Sequence, residues 1–309
     1  MNHLPDADES AYQALAEVHD DPRWAFGTGF DDPLSGVDAT VPSGVDGAEL
    51  AAYCLMLGDD ALVASHRLTE WVTRAPELED EVALANVGLD LLGQARLLLA
   101  RAGQADPALL RRGGTDVGET VPPEDFLAYF REQHAFRNVR LCELDNGDFA
   151  RSLVRLLVFS AWRLAAFSGL TGSRDPVLAA VAAKGVKELA YHRDYAARWV
   201  VRLGDSTPVA RERVERGLAD VWPWVDELFR PSTVERRLAG VAVDPAGLRP
   251  EFDAVLGQVF AAAGLAAPDV PAAALVAGRS GRDGVHTEAL SHLLAEMQSV
   301  ARAHPGATW

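Results

Sequence analysis

Two acids stand where apolar side chains are expected. Asp60 shares a stripe with Tyr53, Leu57, Ala64, Leu68 and Trp71, and Asp90 shares one with Ala83, Val87, Leu91, Gln94 and Leu98. Further along, Glu188 and His192 share a stripe with Val177, Val181, Lys184, Tyr195 and Trp199. Spacings of three and four put each set on one helical face. A carboxylate on an apolar face is costly unless it is paired, hydrogen-bonded or bound to a metal. Carboxylates and histidines converging from four helices are the donors that hold two irons in a helical bundle, one Glu from each of two helices and Glu-x-x-His from the other two.

The donor set is incomplete. Asp90 is followed at i+3 by Gly93, which offers no ligand atom, and Glu188 is followed at i+3 by Tyr191, with His192 at i+4. Between Asp148 and Asp175 there is no acid or histidine, only Arg151, Arg155, Arg163 and Arg174 among apolar residues. A full di-iron site cannot be assembled from these helices. The expectation is therefore a vestigial pseudo di-iron site of Asp60, Asp90, Lys184, Glu188 and His192, with no metal and no catalytic residue in this chain. Lysine occurs only at positions 184 and 187, both within one turn of Glu188. Two readings of Lys184 stand side by side. Its ammonium replaces the metal charge among Asp60, Asp90 and Glu188, or it is an exposed lysine paired only with Glu188. An i, i+4 pair still allows one shared metal, so an independent oxygenase or oxidase with an atypical site of Asp60, Asp90, Glu188 and His192 is the alternative.

The positioning elements read as helices throughout, with no period-two runs of strand type. Residues 1–45, rich in Asp, Gly and Pro, read as a poorly structured leader. Long helices are expected from about 46 to 74, 76 to 102, 148 to 171 and 175 to 203, then shorter ones near 208–229, 245–263 and 285–303. This gives an all-α protein: a ferritin-like four-helix core over 46–204 and a C-terminal helical extension over 205–309 packed on it. Phe126, Phe130 and Phe136, with Trp222 and Trp224, are candidate partner contacts.

Net charge is −16 over 309 residues, which disfavours a nucleic-acid partner. Two cysteines, Cys54 and Cys142, cannot build a disulfide framework and suit a reducing cytosol. The most apolar helix is interrupted by Arg155 and Arg163, which argues against a membrane span, and the first residues lack a secretion signal. The expected location is cytoplasmic.

Several blocks carry a family resemblance. Cys54-Leu-Met-Leu-Gly-Asp-Asp-Ala-Leu, Leu84-Ala-Asn-Val-Gly-Leu-Asp-Leu-Leu-Gly-Gln-Ala-Arg96, Asn146-Gly-Asp-Phe149, Ala183-Lys-Gly-Val-Lys-Glu-Leu-Ala-Tyr-His192 and Pro305-Gly-Ala-Thr-Trp309 resemble the PaaC subunits of bacterial phenylacetyl-CoA epoxidase, collinearly over about 50–309. The resemblance implies a ferritin-like, non-catalytic structural subunit, not an enzyme on its own. Its implied partner is a homologous PaaA-like catalytic subunit holding the di-iron centre. That complex epoxidises the ring of phenylacetyl-CoA with O₂ during aerobic phenylacetate degradation. Electrons come from a reductase carrying NADPH, flavin and an iron–sulfur cluster, so no cofactor is implied in this chain.

Overall fold

A computed structural model describes residues 34–110, 121–305 and 307; most of the 1–45 leader and part of the closing Pro305–Trp309 block lie outside the described residues. Helix α1 (Gly47–Thr69) starts where the Asp46 carboxylate accepts from the backbone N–H groups of Ala48 and Glu49. Helix α2 (Leu78–Ala105) carries Glu79, Asp80 and Glu81 in its first turn, where the helix dipole favours negative charge. After a short α3 (Pro123–Tyr129), Asp148 caps α4 (Phe149–Leu170) and Asp175 caps α5 (Pro176–Gly204). Pro176 occupies the first turn of α5, where its missing N–H has no helical acceptor in any case.

Then come α6 (Pro208–Val221), which passes into 3₁₀ turns at Trp222-Pro223-Trp224, and α7 (Thr233–Arg237), opened by a capping box of Ser232 and Glu235. Helix α8 (Arg249–Ala263) ends at Gly264, and α9 (Glu288–Met297) and α10 (Ser299–Ala303) complete the described chain. No strand occurs among the described residues apart from one isolated bridge between Val276 and Arg279. The all-α reading therefore stands.

Helix α1 packs along α2 and α4 along α5, and α2 meets α5 to close the four-helix core. Helices α6 and α8 lie against α4 and α5. Every residue from Tyr53 to Val63 on α1 and from Ser152 to Phe167 on α4 is buried. These central helices are enclosed on all sides, and both carry charge inside the enclosed run. Asp59 and Asp60 lie on α1, Arg155 and Arg163 on α4.

The stretch between α3 and α4, with short 3₁₀ turns at Gln133–Ala135 and Arg140–Glu143, packs on α1. Arg131 holds Asp59 by a two-pronged ion pair, and the Arg137 N–H donates to the same carboxylate at 2.8 Å. Arg155 donates to the Leu144 carbonyl and to Asn146, fixing the end of that stretch against α4.

Candidate functional site

Asp60 is wholly buried and both of its oxygens are taken. Arg282 donates to Oδ1 at 3.0 Å and Oδ2 at 2.8 Å, and the Val139 N–H donates to Oδ1 at 2.8 Å. Burial raises the Asp60 pKa, while Arg282 and Arg163 pull against that rise. For Arg282, burial acts to lower the pKa, yet the Asp60 carboxylate wins and the net shift is upward.

Arg163 enters the interior from α4, the helix without acids. Its side chain is fully buried, Nε donates to Gln94 Oε1 at 3.0 Å and one terminal nitrogen donates to the Leu57 carbonyl at 3.2 Å. Its guanidinium carbon lies 4.4 Å from the ring centre of Phe167. Burial depresses its pKa to about 10, opposed by the charge of Asp60. Gln94 links onward, donating to Glu188 at 2.9 Å, so α4, α2 and α5 join through one polar chain.

Lys184 is not the interior cation. Its side chain is 51% exposed and meets only Glu188, at 3.4 Å. The buried side of α5 runs through Val181, Gly185, Leu189, His192, Ala196 and Val200 rather than through Lys184, Glu188, Tyr195 and Trp199. The two stripes share Val177, Val181 and His192 and diverge by one residue elsewhere. A Cβ on Gly185 would come within 2.6 Å of the Phe167 ring, so the missing side chain is what lets Phe167 lie over Arg163. Gly185→Ala is expected to lower stability by about 1–3 kcal/mol through overpacking, read from urea unfolding. Lys184→Met is expected to change it by less than about 1 kcal/mol, as for any exposed pair. A larger loss in the same assay would reinstate Lys184 as an interior charge.

The remaining predicted residues divide into separate contacts. Asp90 pairs with His192 Nε2 at 3.0 Å at the seam of α2 and α5, and Glu188 sits one turn away between Gln94 and Lys184. Asp60 instead faces Arg282. Among the described residues, no three His, Cys, Asp or Glu side chains converge to hold a metal ion. The donor set does not fit a di-iron centre on positive grounds. The carboxylates are already consumed by Arg282, His192, Gln94 and Lys184, and the buried Arg163 brings positive charge where two dications need negative donors.

The aromatic candidates also move. Phe126 and Phe130 are buried and stacked on each other at 5.9 Å, and Phe136 is fully buried beneath the Arg131 guanidinium. These three belong to the chain's own core and cannot contact a partner. Trp222 and Trp224 are half-buried, against Phe260 at 5.8 Å and under Arg140 at 5.0 Å.

Missed by sequence reasoning were the partners of the buried acids. Glu143 is fully buried and accepts from Asn138, from the Thr287 backbone and hydroxyl at 2.6 and 2.7 Å, and contacts His286 Nδ1 at 2.6 Å. Glu227 accepts from Arg140 Nε at 2.7 Å and the Gly281 N–H at 3.1 Å. Gly281 has no room for a side chain, since a Cβ there would lie 2.1 Å from the Asn138 carbonyl oxygen.

Four long helices, with buried ion pairs of Arg131 with Asp59, Arg282 with Asp60 and Arg101 with Asp175, define an all-α helical bundle protein. The chain belongs to the PaaA_PaaC family of phenylacetic acid catabolic proteins, which matches residues 38–309. It is 41% identical over 263 residues to the C-type subunit of 1,2-phenylacetyl-CoA epoxidase from Escherichia coli (strain K12), covering 84% of this chain and 99% of that protein.

Proposed function

We propose that this chain is the structural, non-catalytic C-type subunit of a phenylacetyl-CoA epoxidase acting in phenylacetate breakdown in the cytosol. The di-iron centre and the ring epoxidation belong to a homologous catalytic subunit, and the electrons come from a separate reductase. One observation carries the reading. Arg163, fully buried on α4 and bonded to Gln94 and the Leu57 carbonyl, occupies the core with a fixed positive charge. A buried cation held this way supports a rigid scaffold and opposes the loading of dications. The similarity to the C-type epoxidase protein over nearly all of that relative supports the same assignment.

The test is made on the chain purified from iron-rich medium, alone and with the catalytic subunit. The expected result is substoichiometric iron and no turnover of phenylacetyl-CoA by the chain alone with reductase and O₂. Turnover is expected only when the catalytic subunit is added. Two irons per chain together with turnover in the absence of the other subunit would overturn the assignment.

A further inference from the structure

We propose that the outer faces of α2 and α5 form the docking surface for a homologous helical subunit that brings an apolar helix stripe flanked by acidic side chains. The proposal rests on the subunit reading above and adds where the partner sits and what chemistry it presents.

Helix α2 has two apolar faces. Leu84, Val87, Leu91, Ala95 and Leu98 point inward and are buried. Opposite them, Leu78, Val82, Ala85, Leu89 and Leu92 follow one another at spacings of four, three, four and three, the rhythm of a helix-pairing seam. Leu78 is 70% exposed, Val82 53%, Leu89 63% and Leu92 40%. From Val82 to Ala95 the only charged residue is Asp90, and that is paired with His192. Helices α2 and α4 are both apolar and long enough to cross a membrane. The apolar stretch of α4 is almost wholly buried within the chain, whereas only half that of α2 is. A helix apolar on both sides is a buried helix, so half of its cover comes from another molecule. Elsewhere, the exposed Val209, Val276 and Val300 are isolated and form no such stripe.

Helix α5 runs beside this seam and supplies the charge. Its outer row of Lys184, Lys187, Tyr191, Asp194, Arg198 and Arg202 is exposed. Four cations and one acid there contrast with the chain's net charge of −16. Glu77 and Glu79 lie in the same cleft as Arg198 and Arg202 and Glu188 pairs with Lys184, so at the end of Lys184 and Lys187, the only lysines in the chain, Lys187 has no ion pair among the described residues. An acidic row on the partner complements that end. A second copy of this chain, seated on the same two helices, brings like lysine pairs into one interface. Helices of 28 and 29 residues are each about 40 Å long and roughly 10 Å wide, so the pair presents about 800 Å², the area a stable complex buries on each partner.

The test titrates this chain with the catalytic A-type subunit of phenylacetyl-CoA epoxidase by calorimetry, with variants checked for unchanged thermal unfolding. Leu89→Glu is expected to raise Kd at least about 30-fold, the scale of an interface hot spot. Val209→Glu, on another face, is expected to leave Kd within about twofold, the ordinary spread for a residue outside an interface. Lys184→Glu with Lys187→Glu is expected to slow association most at low salt. If the wild-type chain binds and Leu89→Glu binds equally well, the docking face is wrong while the subunit reading stands. If the wild-type chain does not bind at all, the subunit reading fails and takes this proposal with it. If Leu89→Glu instead abolishes a homodimer in sedimentation, or flotation with anionic phospholipid vesicles, while binding of the A-type subunit is intact, the face serves that other occupant and the proposal is overturned.

Discussion

Arg282→Met is expected to lower the free energy of unfolding by about 3–5 kcal/mol, the cost of leaving one member of a buried ion pair alone. Asp60 is wholly enclosed, and Arg282 supplies two of the three hydrogen bonds that hold its ionised carboxylate; the Val139 N–H supplies the other. Arg282 also donates to the carbonyls of Met56 at 3.0 Å and Arg137 at 2.7 Å, so α1 and the stretch covering it lose a shared donor in the variant. Arg163→Met provides the contrast. That guanidinium has one terminal nitrogen without a hydrogen-bond partner, and removing it leaves the Asp60–Arg282 pair intact. Replacement of such a charge by a side chain of similar volume is expected to shift stability by less than about 2 kcal/mol in either direction. Urea denaturation of both variants checks the pair. Equal losses in the two would mean that Asp60 depends on both arginines alike.

Asp175→Ala is expected to cost about 4 kcal/mol or more, because one carboxylate does two things. One oxygen accepts from the Leu178 N–H at 2.9 Å and caps α5, worth about 1 kcal/mol. The other is paired with Arg101 of α2, and both side chains are fully buried. Removing the acid strands a buried guanidinium, which costs about 3 kcal/mol or more. Asp175→Asn retains a capping oxygen and loses the charge, so it separates the two contributions. Asn is expected to recover only the smaller one in thermal or urea unfolding, and full recovery by Asn would show that the Arg101 pair contributes little.

What the sequence disclosed and what it hid follow from range. Caps are local, so Asp46, Asp148 and Asp175 announce their helices within three residues. The long helices are legible because their apolar residues repeat over several turns. The α5 face slipped by one position because its inward line contains Gly185 and Ala196, which carry little hydrophobic signal, while Tyr195 and Trp199 on the neighbouring line carry much. Asp60 stands out in the sequence as an acid in an apolar run. Its partner Arg282 lies 222 residues later and carries no local sign of the pairing. A signal for Arg163 did exist, since an arginine in the most apolar helix of a bundle is buried with it. The same arginine that argues against a membrane span argues for a cation in the interior. Phe126, Phe130 and Phe136 fall in the core for a related reason: a run of aromatic residues looks the same in sequence whether it faces its own core or another chain.

The segment around residues 280–287 reaches back to three earlier elements. Its Gly281 N–H serves Glu227, its Arg282 serves Asp60, and His286 and Thr287 serve Glu143. All three acids precede this segment in the chain and all three are buried in the finished protein, and of the three Glu227 has a basic partner, Arg140, that precedes it as well. A chain that stops short of Gly281 therefore lacks Arg282, the ion-pair partner of Asp60, and the His286 and Thr287 contacts of Glu143. Folding from the amino end can assemble the long helices but cannot close them. A chain truncated before Gly281 is therefore expected to be cleaved faster than the full-length chain in limited proteolysis.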